Sequence, residues 1–320
     1  MGIQMEEVSI EKQLKGRDFL TLADYKQEEL SYLLKLAEDL KKGLKANEQE
    51  QPLKGKTLGM IFEKASTRTR VSFEVGIYQL GGMGLFLSSS DLQVGRGESV
   101  SDTAKVLSGY LDGIMIRTFS QSVVEELAEQ ASIPVINGLT DMYHPCQILA
   151  DFQTIQENKG GLRGVKLAYI GDGNNVAHSL MLGSAIMGMD MCIAVPKGFE
   201  PDPVVTNKAQ MLADLHGGNV QITTDPELAV DQADVIYTDV WTSMGQEKEK
   251  TLREEAFSGF QVNRKLVSLA KADAIIMHCL PAHREEEITA EVIDGKQSVV
   301  FQQAENRLHA QKALMTALMG

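Results

Sequence analysis

The amino-acid sequence predicts an α/β protein made of two doubly wound parallel-sheet lobes. Short apolar runs alternate with amphipathic segments of helical period along most of the 320 residues. Such alternation is typical of parallel sheets covered by helices on both faces, and a chain of this length has room for about two domains. The active site of such a protein is expected in the cleft between the lobes, at the carboxyl ends of the strands.

Seven short apolar runs are predicted to be the strands of the two sheets. They cover 57–62, 113–118, 133–138, 165–170, 191–196, 233–240 and 273–280. Segments of helical period lie between them. In 71–80, for example, Phe73, Ile77 and Leu80 recur on one face before two glycines end the pattern.

The boundary between the lobes is predicted at the end of a long helix. Residues 144–158 have the pattern of such a helix with Pro145 in its first turn, and a glycine-containing loop and a new strand follow. We therefore assign 1–150 to the first lobe and 151–303 to the second. The most charged stretch, 247–256, is predicted to be the solvated face of a helix.

Composition and charge restrict the kinds of partner and compartment. A formal net charge of −13 argues against nucleic acid or an anionic membrane as the main partner, because either would select a basic face. Three cysteines without metal-ligand spacing indicate a reducing compartment. The first ten residues are too acidic for a signal peptide, and no apolar run approaches the length of a membrane span. The expected location is the cytoplasm.

The stretch EKASTRTR, residues 63–70, predicts an anion site at a strand-to-helix turn. A helix N-terminus offers unpaired N–H groups and a partial positive charge, and the hydroxyls of Ser66, Thr67 and Thr69 add donors. The forked guanidinium of Arg68 suits a phosphate. The alternative is an ordinary Ser/Thr cap beside two surface arginines. A nucleotide phosphate is not favoured, because the pattern GxxxxGK[ST] is missing.

Four motifs in order give the chain a resemblance to a known family. STRTR (66–70), YHPCQ (143–147), DVWTSMGQ (239–246) and HCLPA (278–282) closely resemble the aspartate/ornithine transcarbamoylase family, and its ornithine-using members above all. The resemblance covers the chain from about residue 18 to the end.

This resemblance implies carbamoyl transfer from carbamoyl phosphate to the δ-amine of L-ornithine, a step of arginine metabolism that forms L-citrulline and phosphate. It implies no metal and no organic cofactor. It further implies a homo-oligomer, either a trimer or a multiple of trimers, and a C-terminal helix at 304–320 that packs back on the first lobe.

One group of residues matches the family's carbamoyl phosphate site: Ser66, Thr67, Arg68, Thr69, Gln93, Arg117, His144, Gln147, Cys279, Leu280 and Arg307. By the resemblance, Arg117 reaches the phosphate and the carbonyl, while His144 and Gln147 donate to the carbamoyl group. The resemblance also places the Leu280 carbonyl near the carbamoyl NH₂ and assigns Gln93 to a loop that enters a neighbouring subunit. Taken alone, His144 and Gln147 could begin or cap a helix, Arg117 could pair with a surface carboxylate, and Arg307 could neutralise the carboxylate two residues before it.

A second group matches the family's ornithine site: Asn175, Asp239, Ser243 and Met244. The resemblance assigns the α-amine to Asp239 and places the thiol of Cys279 near the δ-amine, so that Arg117, His144, Asp239 and Cys279 are the expected catalytic residues. Taken alone, Asp239 could be a cap, Met244 a filler and Cys279 inert packing.

Other functions are weighed against this one. GDG at 171–173 is a weak dinucleotide signal, because Val176 stands at the third glycine and no acid follows about 20 residues later. Within the family, an enzyme that uses aspartate is expected to lack the pattern DxWxSMG, and an enzyme that uses putrescine is not expected to keep the full SMG loop. An enzyme that uses acetylornithine needs room for the acyl group on the α-amine, and Asp239 argues against that. A non-catalytic paralogue that binds a ligand is the alternative from another class.

Overall fold

The computed structural model describes residues 9–89, 92, 97–243, 245 and 247–320. The chain forms two compact units. The first contains the described residues up to Gln153 together with Glu305–Gly320, and the second contains Thr154–Ala304. Each unit is a parallel sheet with helices, which confirms the predicted fold class.

The first unit is built on a four-stranded parallel sheet. Its strands are β1 (Thr57–Phe62), β2 (Met83–Ser88), β3 (Gly113–Arg117) and β4 (Val135–Leu139), in the order β2-β1-β3-β4. Its helices are α1 (Gln27–Ala46), α2 (Thr67–Gln79), α3 (Val100–Ser108), α4 (Gln121–Gln130) and the start of α5 (Pro145–Lys159). A short 3₁₀ helix covers Leu22–Asp24, and residues 9–14 are helical.

The second unit is built on a five-stranded parallel sheet. Its strands are β5 (Lys166–Ile170), β6 (Asp190–Ala194), β7 (Asn219–Thr223), β8 (Val235–Thr238) and β9 (Ile275–His278), in the order β7-β6-β5-β8-β9. Its helices are α6 (Asn175–Ile186), α7 (Pro203–His216), α8 (Pro226–Val230), α9 (Lys250–Ala256), α10 (Arg264–Val267) and α11 (Ala290–Ile293), with a 3₁₀ turn at Glu247–Glu249. The last helix, α12 (Val300–Met319), begins in this unit and ends in the first.

Each sheet has a point where the winding direction reverses. In the first unit the chain runs from β1 to β2 on one side and from β3 to β4 on the other, so the reversal lies between β1 and β3. In the second unit it lies between β5 and β8. Ligands of open α/β sheets bind at such points, outside the carboxyl ends of the strands.

Burial explains why these strands form the centre of each unit. Every residue of β3 and β4 is buried, and one face of the first sheet packs a cluster that includes Ile61, Ile114, Ile116, Val124 and Leu127. A continuous apolar run is the pattern expected of a strand covered on both faces. The second sheet packs its own cluster around Ile170, Ile236 and Ile276.

All seven predicted strands are present, but the prediction missed β2 and β7. Both are edge strands, and most of their side chains are exposed or half-buried. A strand that buries little lacks the continuous apolar run by which the others were found.

The charged stretch at 247–256 was interpreted incorrectly in one respect. It is helical, but Arg253 is buried rather than solvated. In the part of the chain that the structure describes, no helix is both long and apolar enough to cross a membrane.

Candidate functional site

The residues predicted to bind an anion gather at the reversal point of the first sheet. Arg117 ends β3 and is paired in register with Phe62, which ends β1, and the main-chain N–H of Glu63 donates to the carbonyl of Arg117 at 2.9 Å. The segment 63–69 therefore starts beside the buried side chain of Arg117.

The turn after β1 is a capped helix N-terminus. Ser66 is the N-cap of α2, and its hydroxyl accepts the main-chain N–H of Thr69 at 3.1 Å. The helix begins at Thr67, four residues earlier than the predicted segment, so Thr67, Arg68 and Thr69 form its first turn. This turn joins a helix dipole with hydroxyl and guanidinium donors, as an anion site requires.

Arg307 ties this turn to the start of α5. Its Nη2 donates to Thr69 Oγ1 at 3.0 Å, and its Nη1 donates to Gln147 Oε1 at 2.6 Å. Gln147 Nε2 in turn donates to Asp151 Oδ1 at 2.8 Å. All four side chains are buried, so Arg307 does not serve to neutralise Glu305 and Gln147 is not a helix cap.

His144 lies among the guanidinium groups of this unit. It is the residue directly before α5, and it follows a turn in which Thr140 and Tyr143 exchange hydrogen bonds. Burial, and then the positive charges of Arg307, Arg117 and Arg68, hold the pKa of His144 well below its ordinary value. The imidazole is therefore neutral at pH 7, and a neutral imidazole carries one N–H donor and one acceptor nitrogen.

Sequence reasoning missed the role of Lys64 in the same octapeptide. Its buried ammonium forms an ion pair with Asp141 and lies 4.3 Å from the ring centre of Phe119. Arg70, in contrast, is exposed, stacks over Phe86 and lies 3.5 Å from Glu74. Nothing local to the octapeptide signals this burial, because the partner of Lys64 lies 77 residues away along the chain.

Asp239 is the centre of a second polar cluster, at the reversal point of the second sheet. It follows β8 directly and is buried. Its Oδ2 accepts Asn174 Nδ2 at 2.8 Å, and its Oδ1 accepts the Cys279 thiol at 2.9 Å and the main-chain N–H of Val240 at 2.8 Å. A carboxylate has about four acceptor positions. These three donors fix its orientation and occupy three of those positions.

Asn174, the residue before the predicted ornithine ligand, contacts this carboxylate. It is the N-cap of α6, and its Oδ1 accepts the main-chain N–H groups of Val176 and Ala177. Asn175, the predicted ornithine ligand, is the first residue of the helix and is half-buried. An Asn-Asn pair before a helix does not reveal which member caps it, so the sequence could not separate the two.

Gly173, the second glycine of GDG, has a packing role. A Cβ at Gly173 would lie 2.3 Å from the main-chain nitrogen of Pro201, and the N–H of Gly173 donates to the carbonyl of Phe199 at 3.0 Å. Glycine is required there because another backbone approaches it closely, which explains the motif without a dinucleotide.

Asp172, between those glycines, forms a buried ion pair with Arg253. Arg253 Nη1 donates to Asp172 Oδ2 at 2.9 Å and to the carbonyl of Trp241 at 3.0 Å, and its Nε donates to Glu249 at 3.0 Å. Burial raises the pKa of Asp172 to about 6. Arg253 opposes that shift, whereas the negative charge of Asp239 adds to it. Arg253 thus links both ends of the segment 241–249 to the GDG turn.

Cys279 and Leu280 follow β9 and so lie at the same edge as Asp239. Both are half-buried, and the main-chain N–H of Leu280 donates to His278 Nδ1 at 2.9 Å. One ligand atom from each of Asp239, His278 and Cys279 lies within 4.8 Å of the others. The cluster resembles a cation site by distance, but Nδ1 of His278 already accepts a hydrogen bond.

Three predicted residues remain. Ser243 is half-buried in the segment after Trp241. Gln93 and Met244 lie outside the described residues.

These two clusters define the class of the protein. One α/β unit carries a positively charged site suited to an anion, and the other carries a site centred on a carboxylate. Each site lies at the carboxyl edge of its sheet. Family models assign the same two parts. The model for the carbamoyl-P binding domain of aspartate/ornithine carbamoyltransferase matches residues 17–157, and the model for its Asp/Orn binding domain matches residues 163–318. The chain belongs to the aspartate/ornithine carbamoyltransferase family, as the four motifs predicted.

Individual relatives agree along the full length. An ornithine carbamoyltransferase of Oceanobacillus iheyensis is 67% identical over 320 residues, covering 100% of this chain and 99% of the relative. One of Bacillus subtilis is 61% identical, covering 96% and 95%. The solved ornithine carbamoyltransferase of Pyrococcus furiosus is 54% identical with a TM-score of 0.94, covering 96% of this chain and 98% of that one.

Proposed function

We propose that this protein transfers the carbamoyl group of carbamoyl phosphate to the δ-amine of L-ornithine, forming L-citrulline and phosphate. The observation that carries the choice of acceptor is the buried carboxylate of Asp239, held by Asn174 and Cys279. The family model is described by two amino acids, aspartate and ornithine. A buried carboxylate repels the extra negative charge of aspartate and attracts an ammonium group.

Carbamoyl phosphate is assigned to the first unit. The first turn of α2, with Arg68 and Thr69, is proposed to hold the phosphate, and Arg117 to reach both the phosphate and the carbonyl oxygen. Neutral His144 donates to the carbamoyl oxygen without adding positive charge, and Gln147 contacts the carbamoyl NH₂. Charge-assisted hydrogen bonds of this kind are worth about 1.5–3 kcal/mol each.

Ornithine is assigned to the second unit. Asp239 accepts its α-ammonium, Asn175, Ser243 and Met244 complete its surroundings, and Cys279 lies near the δ-amine. We retain 1–150 and 151–303 as the two substrate lobes, with the helix 304–320 counted with the first.

The reaction needs one bond to form and one to break. The neutral δ-amine attacks the carbamoyl carbon and gives a tetrahedral oxyanion, which Arg117, His144 and Thr69 stabilise. The carbon–oxygen bond to phosphate then breaks, phosphate leaves with the electron pair, and a proton of the amine ends on it. An amine of this type has a pKa of about 10.4, so the site must select its neutral form. The transfer is direct and requires neither a metal nor an organic cofactor.

A citrulline assay tests the proposal. The purified protein, supplied with carbamoyl phosphate, is expected to form a ureido product from ornithine and far less from putrescine, aspartate or acetylornithine. A preference for another amine would overturn the choice of substrate, and no product from any of the four would identify a non-catalytic binder.

A matched pair of arginine variants tests the assignment of Arg68 through the affinity for carbamoyl phosphate. Arg68→Ala should weaken carbamoyl phosphate binding by about tenfold, the lower end of the range for charged hydrogen bonds, because its side chain is only half-buried. Arg70→Ala removes the same charge from the exposed face of the same helix and should bind like the parent. Equal losses in both variants would contradict the assignment of Arg68.

The same proposal includes a homo-oligomer, a trimer or a multiple of trimers. Support comes from exposed apolar side chains on α2 and the edge strand β2, where Tyr78 is 76% and Met83 is 55% exposed. Val71 and Phe86 extend this patch. Contiguous exposed apolar surface is typical of a protein–protein contact. Gln93 follows β2 closely along the chain.

Mixing two inactive variants tests whether Gln93 acts across a subunit boundary. Gln93→Ala and Arg117→Ala chains should each be poorly active alone. After co-refolding, a site that combines the lobe of the first chain with the loop of the second regains both groups. Random mixing in a ring should therefore restore roughly a quarter of the parental activity. Mixed trimers, verified by native mass spectrometry, that only average the two parents would place Gln93 in its own subunit or in none.

A cytoplasmic location and a role in arginine biosynthesis complete the proposal. They are supported by the chemistry of the product and by Cys146, Cys192 and Cys279, none of which forms a disulfide, as suits a reducing compartment.

A further inference from the structure

The turn after β9 holds a leucine in an uncommon conformation. Leu280 has φ = 57°, in the left-handed region, where a side chain with a Cβ is disfavoured. Its main-chain N–H donates to Nδ1 of His278, two residues earlier, at 2.9 Å. The imidazole of His278 therefore holds the main chain of Leu280 in this conformation.

His278 is itself fixed from the opposite side. It is fully buried, and its Nε2 lies 3.0 Å from Oε1 of Glu287, which is also fully buried. The same Oε1 accepts the main-chain N–H of His283 at 2.6 Å, and the main-chain carbonyl of Glu287 accepts the N–H of Val262 at 2.8 Å. Glu287 is thus anchored through both its side chain and its main chain.

These contacts determine the tautomer of His278. An N–H group can only donate, so Nδ1 must present its lone pair to Leu280. Nε2 faces a carboxylate oxygen, and an ionised carboxylate accepts hydrogen bonds but cannot donate them. The ring is therefore protonated on Nε2, and the contact with Glu287 selects that tautomer, as carboxylates beside metal-binding histidines do.

Both ring nitrogens are engaged, which limits what His278 can do. One of them lies within 4.8 Å of the Asp239 carboxylate and the Cys279 thiol. A general base or a metal ligand needs an available lone pair, but Nδ1 uses its lone pair for Leu280. The Cys279 thiol instead donates to Asp239 at 2.9 Å. His278 is thus placed to orient its neighbours rather than to take a proton from them.

We propose that His278, locked by Glu287, is a positioning residue that sets the directions of the Leu280 carbonyl and the Cys279 side chain toward the reacting carbamoyl group and amine. This inference rests on the proposed carbamoyl transfer. His278 does not touch substrate in this role; it acts through the main chain of the two residues that follow it.

Two amide variants separate the functions of the two nitrogens. His278→Asn keeps an acceptor near the position of Nδ1 and loses the link to Glu287, whereas His278→Gln keeps a polar group near Nε2 and loses the acceptor for Leu280. We expect His278→Gln to lower kcat roughly 10- to 100-fold, the size of effect that small misplacements cause. His278→Asn should retain more activity than His278→Gln.

Binding and folding measurements distinguish positioning from a merely structural role. Circular dichroism should show both variants folded, and the affinity for inorganic phosphate should stay at the parental value, because its proposed ligands lie in the other unit. A variant that unfolds more easily but turns over at the parental rate per folded molecule would overturn the inference. Equal kcat values for parent and His278→Gln would do the same.

Nitrogen NMR on the unmodified protein keeps the test independent of variant folding. The ring of His278 should show a proton on Nε2 and none on Nδ1 at neutral pH, and Glu287→Gln should preserve that pattern, because a glutamine oxygen can still accept from Nε2. A proton on Nδ1 would refute the proposal. If the parent forms no citrulline although this tautomer is observed, the proposed function fails and the geometry of the turn stands.

Discussion

Replacing Arg117 by alanine is expected to lower kcat/KM for carbamoyl transfer by roughly 100- to 1,000-fold, the usual cost of removing one donor from an oxyanion site. Arg117 is buried at the carboxyl end of β3, beside the end of β1. A bound carbonyl oxygen there has little access to water that could replace the lost guanidinium. Initial rates with both substrates varied give the number directly.

The same variant should raise the pKa of His144. Burial and Arg307 come first among the causes that lower this pKa, and Arg117 follows. Removing one positive charge makes protonation easier, so the pKa moves up toward the ordinary value but stays below it. An NMR titration of the His144 ring measures the shift, and Arg70→Ala should leave it unchanged. A parental rate, or an unchanged His144 pKa, would remove Arg117 from the site.

Replacing Asp239 by asparagine is expected to weaken ornithine binding by roughly 10- to 150-fold, which corresponds to one charge-assisted hydrogen bond. The amide is nearly the same size, and its oxygen can still accept from Cys279 and from Val240, whereas its NH₂ cannot accept from Asn174. Two of the three hydrogen bonds remain, so the fold should persist. What disappears is the negative charge that faces the ammonium group. Isothermal titration with ornithine, in the presence of carbamoyl phosphate, reports the loss.

A matched variant controls for the change in net charge. Asp190→Asn removes one negative charge from an exposed position at the start of β6, the opposite edge of the same sheet. It should bind ornithine like the parent. If Asp239→Asn weakened carbamoyl phosphate and ornithine equally, the proposed division of substrates between the two units would fail.

Much of the fold was predictable because buried parallel strands leave a strong sequence pattern. β1 was predicted at its observed limits, and the other central strands within about two residues. β2 and β7 escaped because a strand at the edge of a sheet keeps many side chains exposed, and its stability comes from pairing with a neighbour rather than from burial.

Short motifs show which strand or helix a residue follows, and to that extent the positions of the candidate site residues were predictable. The family resemblance pointed to Arg117, His144, Asp239 and Cys279, which lie at strand ends or beside α5. Contacts across the sheet were not predictable, because they depend on side chains brought together from distant segments. The bond from Arg307 to Thr69 spans 238 residues, and nothing local to either residue announces it.

Arg253 shows most clearly how local chemistry can mislead. It stands among glutamates and lysines, a composition typical of a solvated helix, and its neighbours are indeed exposed. Its burial depends on Asp172, which is 81 residues away. A helical pattern with one buried cation cannot be recognised without knowing where the opposite charge lies.

The contacts of Arg253 also determine which segment must be exchanged as a whole in a chimera. Arg253 binds the carbonyl of Trp241, the carboxylate of Glu249 and the carboxylate of Asp172. Grafting only the segment 241–249 from a relative with another acceptor would separate that segment from Arg253, which binds both of its ends. Exchange of the whole segment from Asp239 to Arg253 keeps the contacts of Arg253 intact, provided that the recipient has an acid at position 172. Chimeras that alter acceptor preference should therefore be cut outside these two residues.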